Sequence, residues 1–124
     1  CVAFVDYQIG VVLDALDASP HRDNTIVVFT SDNGAIWPQE KIDEFGHPAN
    51  GPYRGQKADI WEGGHRVPFI AKWPGRIKPD TTSTQLISGV DMLATFAALT
   101  GQTVEEAQLA DSIDMLPALI GELR

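Results

Sequence analysis

Two short stretches of this sequence gather side chains that can do chemistry. The first is Ser31-Asp32-Asn33-Gly34, where a carboxylate and an amide oxygen stand on adjacent residues. Such hard oxygen donors suit Ca²⁺ or Mg²⁺, and the glycine that follows frees the backbone to turn away. The same four residues also read as an Asx-type turn, because Asp-Asn and Asn-Gly are ordinary turn chemistry. The second stretch, Gly51 to Pro68, concentrates Arg54, Lys57, His65 and Arg66 in an otherwise acidic chain. That is a candidate cradle for a tetrahedral anion, in which Lys57 offers a point charge with three donors and Arg54 and Arg66 offer planar forks. The alternative is structural: Arg54 and Arg66 pair with Asp59 and Glu62 while the glycines only make turns. His21 and His47 read as loop residues at the surface, and Trp61 and Trp73 as packing residues. The sequence holds no Gly-rich phosphate loop, zinc-spaced histidine pair or G-x-S-x-G element.

These stretches need elements to hold them. From Val2 to Leu16 the residues Val2, Val5, Ile9, Val12, Leu13 and Leu16 share one face at helical spacing, with Phe4 and Val11 off that face. Ser19-Pro20 closes this helix. Thr25 to Ser31 (TIVVFTS) is β-branched and aromatic without alternation, the pattern of a central, parallel strand buried on both faces. Ser31-Asp32-Asn33-Gly34 then lies at that strand's C-terminal end, where ligands bind in open α/β sheets. Asp32 to Gly64 shows no sustained periodicity and reads as one long functional loop. Val67 to Trp73 reads as a second strand stopped by Pro74-Gly75, and Gln85 to Ser88 as a shorter third. Asp91 is placed to cap a helix running to Gly101, with a weak helix near Val104 to Leu109 and a terminal segment from Leu116 to Leu123. There is no internal repeat, low-complexity tract or interdomain linker.

Composition narrows the classes. A chain of 124 residues with 44% hydrophobic and 21% charged content is globular and long enough for one core. Its net charge of −8 argues against nucleic-acid binding, which draws most of its affinity from a positive footprint. The apolar stretches are too short or too interrupted for a membrane span, and Cys1 to Tyr7 carries no signal-peptide pattern. The single cysteine, Cys1, excludes an internal disulfide and a cysteine-based zinc site, and reads as a buried or boundary residue.

Taken together, TIVVFTSDNG at Thr25 to Gly34, RGQKADIWEGGHRVP at Arg54 to Pro68 and WPGRI at Trp73 to Ile77 resemble the sulfatase family of the alkaline phosphatase superfamily. The likeness continues through Val90 to Thr95, similar to the family's D-L-x-P-T helix start, and through Asp111 to Pro117, similar to its D-G-x-S-L-x-P segment. Position 94 is Ala where the family commonly has Pro, and position 112 is Ser where it commonly has Gly. Both differences are expected to affect local backbone geometry rather than chemistry.

The resemblance implies an alkaline-phosphatase-like α/β/α sandwich, present in part, with a central, mostly parallel sheet and flanking helices. It implies that residues 1–124 are the C-terminal portion of a sulfatase catalytic domain that needs the remainder of that domain as partner. Asp32 and Asn33 would be two ligands of an active-site Ca²⁺. Lys57 would contact the sulfate and stabilise charge during transfer, with His65 and Arg66 facing the substrate. The family's nucleophile is a formylglycine made from a cysteine or serine in a C/S-x-P-S/A-R motif, which this sequence lacks. That motif, the family's N-terminal aspartate pair and its upstream histidine are therefore expected outside this chain. The activity implied is hydrolysis of aryl or carbohydrate sulfates, in a secreted, periplasmic or lysosomal setting. Two other readings stay open, a phosphodiesterase or phosphonate hydrolase of the same superfamily and a non-catalytic binding domain.

Overall fold

A computed structural model describes residues 2–122. They run, in order, through helix α1 (Val2–Asp17), a 3₁₀ turn (Arg22–Asn24), strand β1 (Val27–Thr30), helices α2 (Gln39–Phe45) and α3 (Glu62–His65), and strand β2 (Phe69–Lys72). A second 3₁₀ turn (Gly89–Asp91) leads into α4 (Met92–Thr100), followed by α5 (Glu106–Leu109) and α6 (Leu116–Leu119). The chain divides into two compact units, Val28–Ile70 and the residues that flank it on both sides. Among the described residues no helix is long and apolar enough to cross a membrane. Cys1, read above as a buried or boundary residue, lies outside the described residues, as does Leu123.

In the flanking unit, α1 forms where its helical periodicity places it. Only part of its apolar stripe is covered: Ile9, Leu13 and Leu16 are half-buried, while Val2, Val5 and Val12 are exposed. The best-buried cluster is at the other end of the chain. Thr95 is fully buried; its hydroxyl donates to the Asp91 carbonyl at 2.7 Å and accepts the Met115 N–H at 2.9 Å. Asp91, also buried, accepts the Ser88 N–H at 2.7 Å and the Ile113 N–H at 3.0 Å. Asp91 stands at the N-cap position of α4 as expected, but its carboxylate makes no capping bond there and instead closes a capping box with Ser88 on the preceding 3₁₀ turn. The helix stops as expected at Gly101, which takes the left-handed conformation at φ 66°.

The two sequence departures noted above meet here. The Ala94 N–H donates to Ser112 Oγ at 2.9 Å. A first-turn amide of α4 has no partner within its own helix, so Ser112 satisfies a donor that proline at this position would not possess. Ala94 and Ser112 are one hydrogen-bonded pair.

The Val28–Ile70 unit begins within β1 and ends within β2, and the two strands pair. Here several expectations are corrected. β1 is shorter than Thr25 to Ser31 and is not central: in a two-stranded sheet both strands are edges, with Val27 and Val28 half-buried and Phe29 and Thr30 exposed. Burial of both faces needs layers on each side that these residues do not furnish. The stretch from Asp32 to Gly64 is not one continuous loop. It contains α2, which is capped by Gly46 at φ 63° and braced by Gln39 to Asp43 at 2.8 Å and by a Lys41–Glu44 pair. Seven residues with Ile42 and Phe45 as their only large apolar members are too few to show a helical period. Gln85 to Ser88 forms no strand either; Leu86 is 93% exposed, and the segment serves to deliver Ser88 to its cap.

Candidate functional site

The two chemistry-bearing stretches lie within the Val28–Ile70 unit and are tied together through backbone. The Gly34 N–H donates to the Gly64 carbonyl at 2.9 Å, and the Lys57 N–H donates to the Ala35 carbonyl at 3.1 Å. These bonds need close backbone approach, and glycine allows it. A Cβ on Gly34 would stand 1.8 Å from the Gly63 carbonyl oxygen, one on Gly63 would stand 2.1 Å from that of Gly55, and one on Gly64 would stand 2.2 Å from that of Asp59. Gly34 does not have a positive φ. Its role is therefore space rather than a special turn angle, which corrects the turn-chemistry account of Asn33-Gly34.

Asn50 completes the tie. Its Oδ1 accepts the Ala35 N–H at 2.9 Å, while its Nδ2 donates to the Ala35 carbonyl at 3.0 Å and to the Gly55 carbonyl at 3.1 Å. One side chain thus bridges the segment after Asp32-Asn33 and the segment before Lys57. Nearby, the Trp37 N–H donates to Gln56 Oε1 at 3.3 Å, and the Gln56 N–H to Asp59 Oδ2 at 3.0 Å. Asn50 carries no signal in the sequence beyond an Asn-Gly dipeptide, which reads as a turn.

Each residue singled out from sequence has a definite place. Asp32 is exposed and Asn33 half-buried, and among the described residues neither side chain makes a hydrogen bond. Lys57 is exposed, and among the described residues no carboxylate lies within 4.0 Å of its Nζ. The residue after it, Ala58, has φ 77°, a left-handed conformation that costs a residue with a Cβ about 1–2 kcal/mol. His65 is the exposed last residue of α3. Arg66 is committed: its Nη1 pairs with Glu62 Oε2 at 2.9 Å, and its guanidinium lies 4.7 Å from the centre of the Tyr53 ring. The hydrogen bond to Glu62, followed by the nearby Tyr53, raises its pKa above the ordinary arginine value, so it is a fixed cation. Arg54 stacks on Trp61 at 3.7 Å, while the Asp59 carboxylate takes the Gln56 N–H. The structural ion-pair alternative thus describes Arg66 but not Arg54, and within this stretch Lys57 has neither a carboxylate nor a ring partner among the described residues.

A cleft of about 460 Å³ is lined by Asn33, Asn50, Tyr53 and Arg66 among others. Asp32, Lys57 and His65 are not in its lining. Among the described residues no three His, Cys, Asp or Glu side chains gather. Asp32 and Asn33 fit a hard cation in type and in having no competing hydrogen bonds, but two oxygens are a fraction of the ~6–8 that Ca²⁺ takes.

Comparison with known proteins agrees with the family resemblance. The Sulfatase family model matches residues 1–102. The chain is 38% identical over 123 residues to an N-acetylgalactosamine-6-O-sulfatase of Bacteroides thetaiotaomicron, covering 95% of this chain and 24% of that protein. It is 36% identical over 126 residues to the steryl-sulfatase of Rattus norvegicus, covering 97% and 21% respectively. A solved chain from a study of glycosaminoglycan metabolism by Bacteroides thetaiotaomicron superposes with a TM-score of 0.82 at 38% identity, covering 95% of this chain and 25% of that one. The chain therefore spans about a quarter of the length of the relatives it matches.

Proposed function

The chain belongs to the sulfatase family, and on that premise we propose that it supplies one part of a sulfuric ester hydrolase site whose nucleophile comes from residues outside it. Asp32 and Asn33 act as two oxygen ligands of Ca²⁺, and Lys57 binds the sulfate. Asp32 and Asn33 would hold part of the shell of a Ca²⁺ ion, which would supply polarisation of sulfate oxygens when bound, and the nucleophile would come from a formylglycine outside these residues. The work of this chain's own residues is positioning and charge. An exposed ammonium that meets no carboxylate among the described residues is ready to meet an anion, and it offsets charge that grows on the transferring group. Arg66, whose charge is offset in part by its exposed pair with Glu62, contributes less to anion binding than its charge alone suggests. His65 sits one residue away on the same turn and is assigned to the substrate rim.

The observation that carries this reading is the backbone tie from Lys57 N–H to Ala35 carbonyl, 3.1 Å long, which couples the cation to the Asp32-Asn33 turn across the sequence. The test compares the 124-residue chain, the longer sulfatase that contains it, and Lys57→Ala in that longer protein, on a chromogenic aryl sulfate. The short chain is expected to show no turnover. Lys57→Ala is expected to lose ~10²–10³-fold in turnover, the usual cost of one preorganised charge donor. Full activity in Lys57→Ala would remove this lysine from the site, and turnover by the short chain comparable to the longer protein would show that the nucleophile is present here.

A further inference from the structure

We infer that Asn50 is a positioning residue that sets the distance between the Asp32-Asn33 turn and Lys57 by using Ala35 as a hub. The inference deepens the proposed function and, in its catalytic part, rests on it. Three of the four bonds that matter involve the Asn50 amide. Its Oδ1 accepts the Ala35 N–H at 2.9 Å and its Nδ2 donates to the Ala35 carbonyl at 3.0 Å, so the side chain pairs with both polar groups of one residue, as a neighbouring strand would. The second Nδ2 hydrogen goes to the Gly55 carbonyl at 3.1 Å. The fourth bond is the Lys57 N–H to that same Ala35 carbonyl, at 3.1 Å. The Ala35 carbonyl thus spends both lone pairs, one on Asn50 and one on Lys57.

The consequence is geometric. Ala35 stands two residues after Asn33, and Gly55 two residues before Lys57. Asn50 fixes Ala35 through both its polar groups and fixes Gly55 through its carbonyl, so both ends of the path from metal ligands to cation are held by one planar amide. The close packing of Gly63 on Gly55, where an added Cβ would meet the Gly55 carbonyl at 2.1 Å, leaves that end little room to drift. Asparagine suits the position for a chemical reason: it offers one acceptor and two donors in one plane. Aspartate keeps the acceptor for the Ala35 N–H but loses both donors and sets a carboxylate oxygen against two carbonyl oxygens.

The test places Asn50→Asp and Asn50→Ala in the longer protein, alone and combined with Lys57→Ala. Two readouts are taken: amide exchange at Ala35 and Lys57, and kcat and KM on an aryl sulfate. Exchange at both amides is expected to rise at least about tenfold in both Asn50 variants, while the Met115 amide bonded to Thr95 keeps its protection and reports an intact fold. A misplacement of about 1 Å costs on the order of 10²-fold, so kcat is expected to fall about 10- to 100-fold with KM nearly unchanged. In the Lys57→Ala background the same substitutions are expected to cost less than about threefold, because the group being positioned is gone. Unchanged exchange at Ala35 and Lys57 in either variant overturns the inference, as does a kcat loss of equal size with and without Lys57. If exchange rises but Lys57→Ala is fully active, the clamp stands and the sulfate-binding assignment of Lys57 falls.

Discussion

Replacing Gly34 by alanine adds one methyl group where the backbone has left no room for it. The new Cβ would stand 1.8 Å from the Gly63 carbonyl oxygen, 2.8 Å from its carbon and 3.2 Å from the carbonyl carbon of Gly64. Ordinary contact begins near 3.4 Å, and all three neighbours are backbone, so no side chain can swing aside. One segment must retreat by more than an ångström, which breaks the Gly34 N–H bond to the Gly64 carbonyl and strains the Lys57 N–H bond to Ala35. Overpacking costs about 1–3 kcal/mol and each lost bond about 0.5–1.5 kcal/mol. Against this, alanine restricts the unfolded chain and returns about 0.4–1 kcal/mol, since Gly34 is not held at a positive φ. The steric term wins, for a net loss of about 0.5–4 kcal/mol, centred near 2. Urea unfolding followed by tryptophan emission reads this unit through Trp37 and Trp61, and the midpoint is expected to fall accordingly. A Gly34→Ala protein within about 0.5 kcal/mol of the parent would falsify the close-approach argument.

Gly101→Ala tests the opposite cause, because a Cβ there meets nothing within 4 Å while φ is +66°. Its cost is conformational alone, about 1 kcal/mol by thermal unfolding, with part recovered in Gly101→Asn. Thr95→Val keeps the volume of a fully buried side chain but leaves the Met115 N–H without its acceptor. Urea unfolding is expected to show a loss of about 1–3 kcal/mol, and a neutral result would mean that water or a rearranged backbone replaces the hydroxyl. For Ala94 and Ser112, a double-mutant cycle with Ala94→Pro and Ser112→Gly is expected to give a coupling of about 0.5–1.5 kcal/mol, and strict additivity would show that the two positions act independently.

What the sequence makes legible follows from the range of the forces involved. α1, α4 and the stop at Gly101 are read correctly because periodicity and capping act within a few residues. The chain bends at Asp32 and Asn33 directly after β1. Helix α2 escapes notice because its seven residues hold too few apolar positions to display a period, although Gly46 at its end is a usable stop signal. Asn50 is illegible for a different reason: its three bonds reach residues 15 and 5 positions away, and a single side chain has no pattern. The Ala94–Ser112 pair is harder still. Each position taken alone is a small backbone adjustment, and only the bond between them, 18 residues apart, shows that they compensate one another.

The strand β1 shows how a correct local reading can carry an incorrect environment. Four residues, Val27–Thr30, do adopt a strand, as β-branched and aromatic side chains favour. The absence of alternation encodes apolar contact on both faces, yet the sheet has two strands and Phe29 is 41% exposed. α1 repeats the theme, with Val2 at 84% and Val12 at 66% exposed along the stripe that its spacing builds for burial. The candidate site repeats it in polar form: Asp32 and Asn33 offer oxygens that no donor in the described residues uses, and Lys57 offers a charge that no carboxylate there meets. Apolar stripes, hard oxygens and an unpaired ammonium are unrelated in chemistry, but each is a surface whose residue types call for a complement. They coexist in a chain that spans about a quarter of its relatives' length.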